Sequence, residues 1–443
     1  MGPLAPAKMN QLRGLLASLP GDMARRLCAM AGQADPVLGR LLSNCLADPE
    51  VLARERFFAF IAPLSGEPGS DRPALSIAPT ALLHALWSWM GDELAPDIAT
   101  RVREIALDPV APEASGQMDP EREAFARLML EAFTRAEKDP RALKALQNRL
   151  GVERFDEARN IAAMLRLAPV LRSALRGLPP VIDDPGEAQC VLIRDRYENA
   201  AAADPDAGPW VLLLIMARFT RPWRMLRVFE RLTHRDDDLL VGSTDMALIG
   251  DVLLRDAAHH LAGFRAPPAT EDEARAAAAA LTAFADITIG MSREIGIRKD
   301  GPWGKRIMDL RSRASEQMSA IHEASRRAVG RVLPEADKGR RRFALPREED
   351  LEQAQAHCLF LTLTRDNAGR AAVGGAHNGV IAELAAAFER AGQGALDALR
   401  SADAEQREAG SARLHQIAAL MQALGQGESG AILLRRGAAA LAA

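Results

Sequence analysis

An all-α fold, a multi-helix bundle or irregular helical array with no substantial β-sheet, is predicted by three features of this sequence. Alanine and arginine, both strong helix formers, are abundant. Strict apolar–polar alternation is hard to find, whereas apolar residues recur at helical spacing over long stretches. Seven Asp-Pro pairs punctuate the first half, at 35–36, 48–49, 108–109, 119–120, 139–140, 184–185 and 204–205. Aspartate accepts hydrogen bonds from the free amides of a helix start, and proline fits the first helical position, so several of these pairs should begin helices. Their spacing is irregular and matches no known helical repeat period.

Three helical sections are expected: 1–112, 119–334 and 346–443. The first carries helices near 6–18, 22–31, 36–46 and 49–62. A Pro/Gly/Ser loop over 63–78 follows, then a helix over 79–90 with Leu82, Leu86 and Trp89 on one face. The second opens at 120–138, where Phe125, Met129 and Phe133 recur at helical spacing. It continues through 140–150 and 153–175, with Pro169 as a break, and a turn-rich crossing at 177–186.

A central hairpin is expected over 209–264. Its first helix, Trp210 to Met216, is apolar on every side and suits enclosure by other helices. Pro222 breaks it. Beyond the break Arg224, Arg227 and Arg231 fall on one stripe, with Met225, Val228, Phe229 and Leu232 opposite; a third helix covers about 244–262. Long helices over 271–289 and 303–332 close the section. A linker follows at 335–346, and then helices near 348–364, 378–390, 402–424 and 431–441.

Hydrophobic residues make up 48% of the 443 residues but aromatics only 4%, so alanine, leucine and valine must fill the core. The formal charge of -3 and pI near 6.3 give no global field to recruit nucleic acid or an anionic membrane. The excess of arginine over lysine suggests a GC-rich bacterial genome. Cys28, Cys45, Cys190 and Cys358 form no CxxC pair and read as buried thiols of a reducing compartment. The N-terminus lacks a secretory pattern, and the longest apolar run is shorter than the roughly 18 residues of a membrane span, so a cytoplasmic location is expected.

Each candidate site has a bland counterpart. The basic run 326–342, ending in Arg340, Arg341 and Arg342, has the density to neutralise phosphates, yet an acidic run follows at Glu348–Glu352 and no aromatics interleave for stacking on bases. Leu143 to Ala163 resembles a helix-turn-helix superficially, but Glu157 occupies a position where that motif needs an apolar side chain. His234 and Asp238 precede Asp256 and His260, whose i, i+4 spacing presents two metal ligands on one side of a helix; the plainer expectation is a solvated turn and a helix terminus. His357, Cys358 and His377 invite a Cys–His nucleophile, although Cys358 lies in phase with Leu351, Ala354 and Leu361 of an apolar face.

Plentiful amphipathic helices and the absence of a chemistry-bearing motif make the expected function a scaffold or adaptor that binds another protein, without catalysis and without a cofactor. The expected binding residues are Arg224, Arg227 and Arg231, then Arg340, Arg341 and Arg342. A helical enzyme with a metal or Cys–His site is the alternative, and attachment to a membrane or nucleic acid through local arginines comes third. Self-association is left open.

Overall fold

Residues 6–66, 72–107, 116–151, 154–228, 245, 247–333, 345–370, 374–400 and 404–442 are described by the structure, a computed structural model. Their architecture is all-α. The β-type pairing among them is an isolated parallel bridge between Ile182 and Phe219. Contacts divide the chain into two compact units, Met1–Arg235 with Ser243–Val252, and Asp236–Gly242 with Leu253–Ala443.

The first unit holds α1 (Pro6–Ala17), α2 (Gly21–Ala34), α3 (Pro36–Leu46), α4 (Pro49–Phe58), α5 (Thr80–Trp89) and α6 (Pro96–Ala106). It continues with α7 (Asp119–Lys138), α8 (Pro140–Leu150), α9 (Phe155–Arg166), α10 (Ala168–Leu175), α11 (Glu187–Ala203) and α12 (Ala207–Met216). Helix α13 (Ala247–Gly263) contains the division between the units. The second unit holds α14 (Glu271–Glu294), α15 (Pro302–Val332), α16 (Glu348–Leu363), α17 (Arg365–Arg370), α18 (Gly374–Leu399), α19 (Ala404–Ala423) and α20 (Gly427–Ala442).

Aspartate and proline start helices as their chemistry dictates. Asp35 accepts from the amides of Val37 and Leu38, Asp48 from Glu50, and Asp139 from Arg141, each with proline next in the chain. Asp119 does something else: it turns inward to Arg122 and Arg172. Helix ends are served by a device that the sequence does not advertise, because its two halves are far apart in the chain. The last carbonyls of a helix lack partners. Arginines from distant helices supply them here: Arg13 donates to Cys45 O at the end of α3, Arg56 to Ala106 O at the end of α6, and Arg413 to Val332 O at the end of α15. At the end of α4, Arg122 donates to the carbonyls of Phe57 and Arg56, both at 2.8 Å.

Three helices, α6, α11 and the short α17, were not predicted from the sequence, and α18 extends well past the predicted 378–390. Gly392 within it leaves room for Leu433, whose methyl carbons would lie 3.0 and 3.1 Å from an added Cβ. Proline behaves as expected: α9 and α10 divide at Leu167, just before Pro169.

In the first unit, Phe57 sits against Phe58, Trp87 and Phe125, while Phe133 joins Trp89 to Phe155. Helix α12 is buried from Val211 to Met216, as its unbroken apolar run requires. Helices α1 to α3 enclose a small separate cluster of Leu16, Cys28, Leu41, Leu42 and Cys45. In the second unit, α15, α16 and α18 to α20 surround a larger core that includes Val329, Cys358, Leu361, Phe388 and Leu420. Among the described residues, α14 alone reaches the length and hydropathy of a membrane span, and it buries Leu281, Phe284, Ala285 and Met291 within the fold as a core helix does.

Candidate functional site

Of the predicted arginine stripe, Arg224 and Arg227 are described and Arg231 lies outside the described residues. The apolar helix already ends at Met216, before Pro222, which instead starts a single tight turn, Pro222–Arg224; Arg224 in it and Arg227 after it reach back to the loop before α11. Arg224 donates to Asp183 O at 2.6 Å and sits 3.3 Å from Asp184 Oδ1, while Arg227 lies 3.0 Å from the same carboxylate. Thr220 donates to Asp183 at 2.6 Å, and this hydroxyl, ahead of the neighbouring Arg221 and Arg224, holds the Asp183 carboxyl below its ordinary range. The two arginines are thus engaged within their own unit, and reversing their charge would disturb that loop as well as any outside contact.

Arg340, Arg341 and Arg342 lie outside the described residues, as do His234 and Asp238. Asp256 and His260 are both buried, one turn apart on α13. Among the described residues no three His, Cys, Asp or Glu side chains converge as a metal site requires.

The Cys–His pair resolves into a different arrangement. Cys358 is fully buried, and burial pushes its thiol up to about 12, which leaves it protonated at neutral pH. His377 is fully buried too, and both of its ring nitrogens are committed. Nε2 lies 2.8 Å from Leu361 O, and Nδ1 lies 3.0 Å from His322 Nε2. A carbonyl only accepts, so His377 carries its proton on Nε2 and His322 must donate to Nδ1. One turn along α15, Ser325 contacts both Ile321 O at 2.8 Å and His357 Nδ1 at 3.0 Å. The three imidazoles therefore join α15, α16 and α18 as neutral rings, and His377 has no nitrogen left to serve the thiol as a base.

All three have basicities below the ordinary histidine value. Burial brings His322 down to about 4, helped by His377 and Arg326; burial also brings His357 to about 4, helped by Arg331. His377 is lowered chiefly by burial, against the contact with Leu361 that favours its charged form. His322 and Ser325 were missed in the sequence, although they interrupt the apolar stripe of α15 at one-turn intervals from Met318 and Ile321, which is the signal a buried polar network leaves.

The N-terminal helices show the opposite anomaly, apolar side chains left in water. Met23, Leu27 and Met30 stand at i, i+4 and i+7 on one face of α2 and are 55%, 42% and 68% exposed. The helix buries only Ala24 and Cys28. Leu15 of α1 and Leu38 and Leu46 of α3 are exposed as well. Gly39 lets α3 approach α2 closely, since a Cβ there would lie 2.3 Å from Gly32 Cα. Beside that crossing is a shallow groove of about 640 Å³, edged by Arg25 and Arg40. The surface is basic: the sequence from 6 to 46 has five Lys and Arg against two Asp, in a chain of net charge -3.

Compared with known proteins, this chain matches no protein-family model, no curated protein sequence and no solved structure.

Proposed function

We propose that this protein acts by binding another protein, and that α1 to α3 present the binding surface to a partner offering an apolar helix face rimmed by acidic side chains. The observation that supports this is the exposed Met23–Leu27–Met30 stripe. A helix that buries one apolar edge in its own fold and leaves a second in water gains nothing from the second until something covers it. The three side chains are about half exposed, so covering them contributes roughly 2 to 5 kcal/mol before ordering costs, and they serve as the centre of a larger interface. Methionine adapts to irregular partners, and helix-in-groove recognition uses this i, i+4, i+7 spacing. Arg26 flanks the stripe on the same helix, whereas Arg25 lies on the opposite face and pairs with Asp22, so it is Arg26 that an acidic partner would meet and a second copy would repel.

Photo-crosslinking residues placed singly at 23, 27 and 30 in the native host, with the equally exposed Met308 of α15 as the control position, test this reading. One shared adduct from the three positions, absent at 308, is the expected result. No adduct above the control would sink it.

A further inference from the structure

The histidine network of the second unit is independent of the N-terminal surface and has a consequence of its own. His322, His357 and His377 come from three helices, each at most 3% exposed; the contact of His377 with His322 needs a bare Nδ1 on His377, while for His322 and His357 it is the burial of the charge that acid makes unfavourable. A second proton on His377 could enter only at Nδ1, where it would point at the proton on His322 Nε2 across 3.0 Å. The contact that ties α15 to α18 would become a repulsion.

Among the described residues, the charged groups that act on these rings are cations. On α15, Arg326 and Arg331 act on His322 and His357; on α17, Arg365 acts on His377. On α16 the neighbour in the chain is the protonated Cys358, and from α19 Arg413 reaches the end of α15. The carboxylates nearby are held at the surface by arginines: Glu323 and Glu383 by Arg326, Asp350 by Arg331, and Asp286 of α14 by Arg370. An imidazolium formed here would have the Ser325 hydroxyl or the Leu361 carbonyl beside it, with no carboxylate among the described charged groups acting on it to balance its charge.

We propose that the His322–His377 and Ser325–His357 contacts form an acid-sensitive latch, which holds α15, α16 and α18 together at neutral pH and releases them on acidification, uncovering the apolar cluster around Cys358, Leu361, Leu384 and Phe388. The sign follows from the buried rings. Their basicity in the fold is below the unfolded value of about 6.5, so stability is complete above that pH and is lost as pH falls towards about 4. Between pH 7 and 5, each of His322 and His357 raises the opening equilibrium about 20-fold, roughly 400-fold for both.

Amide hydrogen exchange on the full chain at pH 7 and 5, corrected for intrinsic rates, reads this directly. Peptides from α15, α16 and α18 should lose protection by that factor, while α7 and α12, which contain no histidine, keep theirs. His322→Gln retains an amide donor towards His377, and His357→Asn retains a polar atom near the Nδ1 position; each should remove about 20-fold of the response. Unchanged pH response in both variants would overturn the latch, and so would equal loss of protection in α7. Should either variant fail to fold, ring resonances of the wild-type histidines decide: three signals that stay neutral down to pH 5 support the latch, and titration near 6.5 by these rings refutes it.

Discussion

Arg122 offers the sharpest test of how this fold is held together. It is fully buried, and its guanidinium spends its donors on Phe57 O, Arg56 O and Asp119 Oδ1, all at 2.8 Å. Its plane lies 5.1 Å from the centroid of Phe60 and 5.8 Å from that of Phe57. Replacing it with methionine keeps most of the volume but takes the Arg122 hydrogen bond from Phe57 O and from Arg56 O, which keeps the Ala59 amide. Removing one member of a buried ion pair costs about 3 to 5 kcal/mol, chiefly through the charge left behind. Asp119 still has Arg172, so that charge is not bare, and the lower end, about 3 kcal/mol, is expected for Arg122→Met. Arg122→Lys keeps the charge but loses the planar fork that reaches three acceptors at once, and should fall between the two. Urea unfolding followed by tryptophan fluorescence suits the question, because Trp87 and Trp89 are buried in the same unit. The midpoint should fall by about 1 M. A loss below about 1 kcal/mol, typical of a solvent-exposed pair, would refute the account of Arg122 as the end-cap of α4.

Two further outcomes follow from packing and from charge. Gly304→Ala and Gly330→Ala lie in the same helix and should have opposite signs: a Cβ at 304 would come 1.9 Å from Arg298 O, whereas nothing lies within 4 Å at 330. Thermal unfolding should show the first losing at least about 1 to 3 kcal/mol and the second gaining roughly 0.5 to 1 kcal/mol, and equal signs would contradict the close approach at 304. Cys358, with its thiol pushed up to about 12 and no side-chain surface in water, should resist thiol reagents in the native state near pH 8 and react only as the second unit unfolds. Modification at the rate of an unfolded cysteine would be incompatible with its burial.

Local signals in the sequence carried most of the helices. Asp35, Asp48 and Asp139 are followed by proline and by an apolar period, so cap and face agree, and α3 and α8 begin and end where predicted. Where local signals conflict with tertiary contact, they mislead. The expected helix over 378–390 in fact runs on to Leu399, through Gly392, where Leu433 occupies the space that the missing Cβ leaves. Helix α11, over 187–203, has no counterpart among the expected elements, and its apolar residues are spread around its circumference. Its only buried residues are Cys190, Ile193 and Ala200, so tertiary packing rather than amphipathic patterning places it.

The candidate sites were legible in residue type and illegible in pairing, and arginine shows why. A run of spacing can place Arg224 and Arg227 on one stripe, but it cannot reveal that Asp183 and Asp184, about forty residues earlier, are waiting for them. A charged side chain on a helix surface looks the same in sequence whether it meets solvent, a partner or the bare end of another helix. In this chain the last of these recurs, in Arg13, Arg56, Arg122 and Arg413, over separations of 32 to 81 residues. Arginine suits that role better than lysine because it remains charged when buried and its fixed fork can serve two or more carbonyls. The same logic applies with opposite sign to α2. Its second apolar edge is visible in the spacing of Met23, Leu27 and Met30, but only the structure shows that no described helix of the first unit covers it, and an uncovered edge beside Arg26 would select a partner by charge as well as by shape.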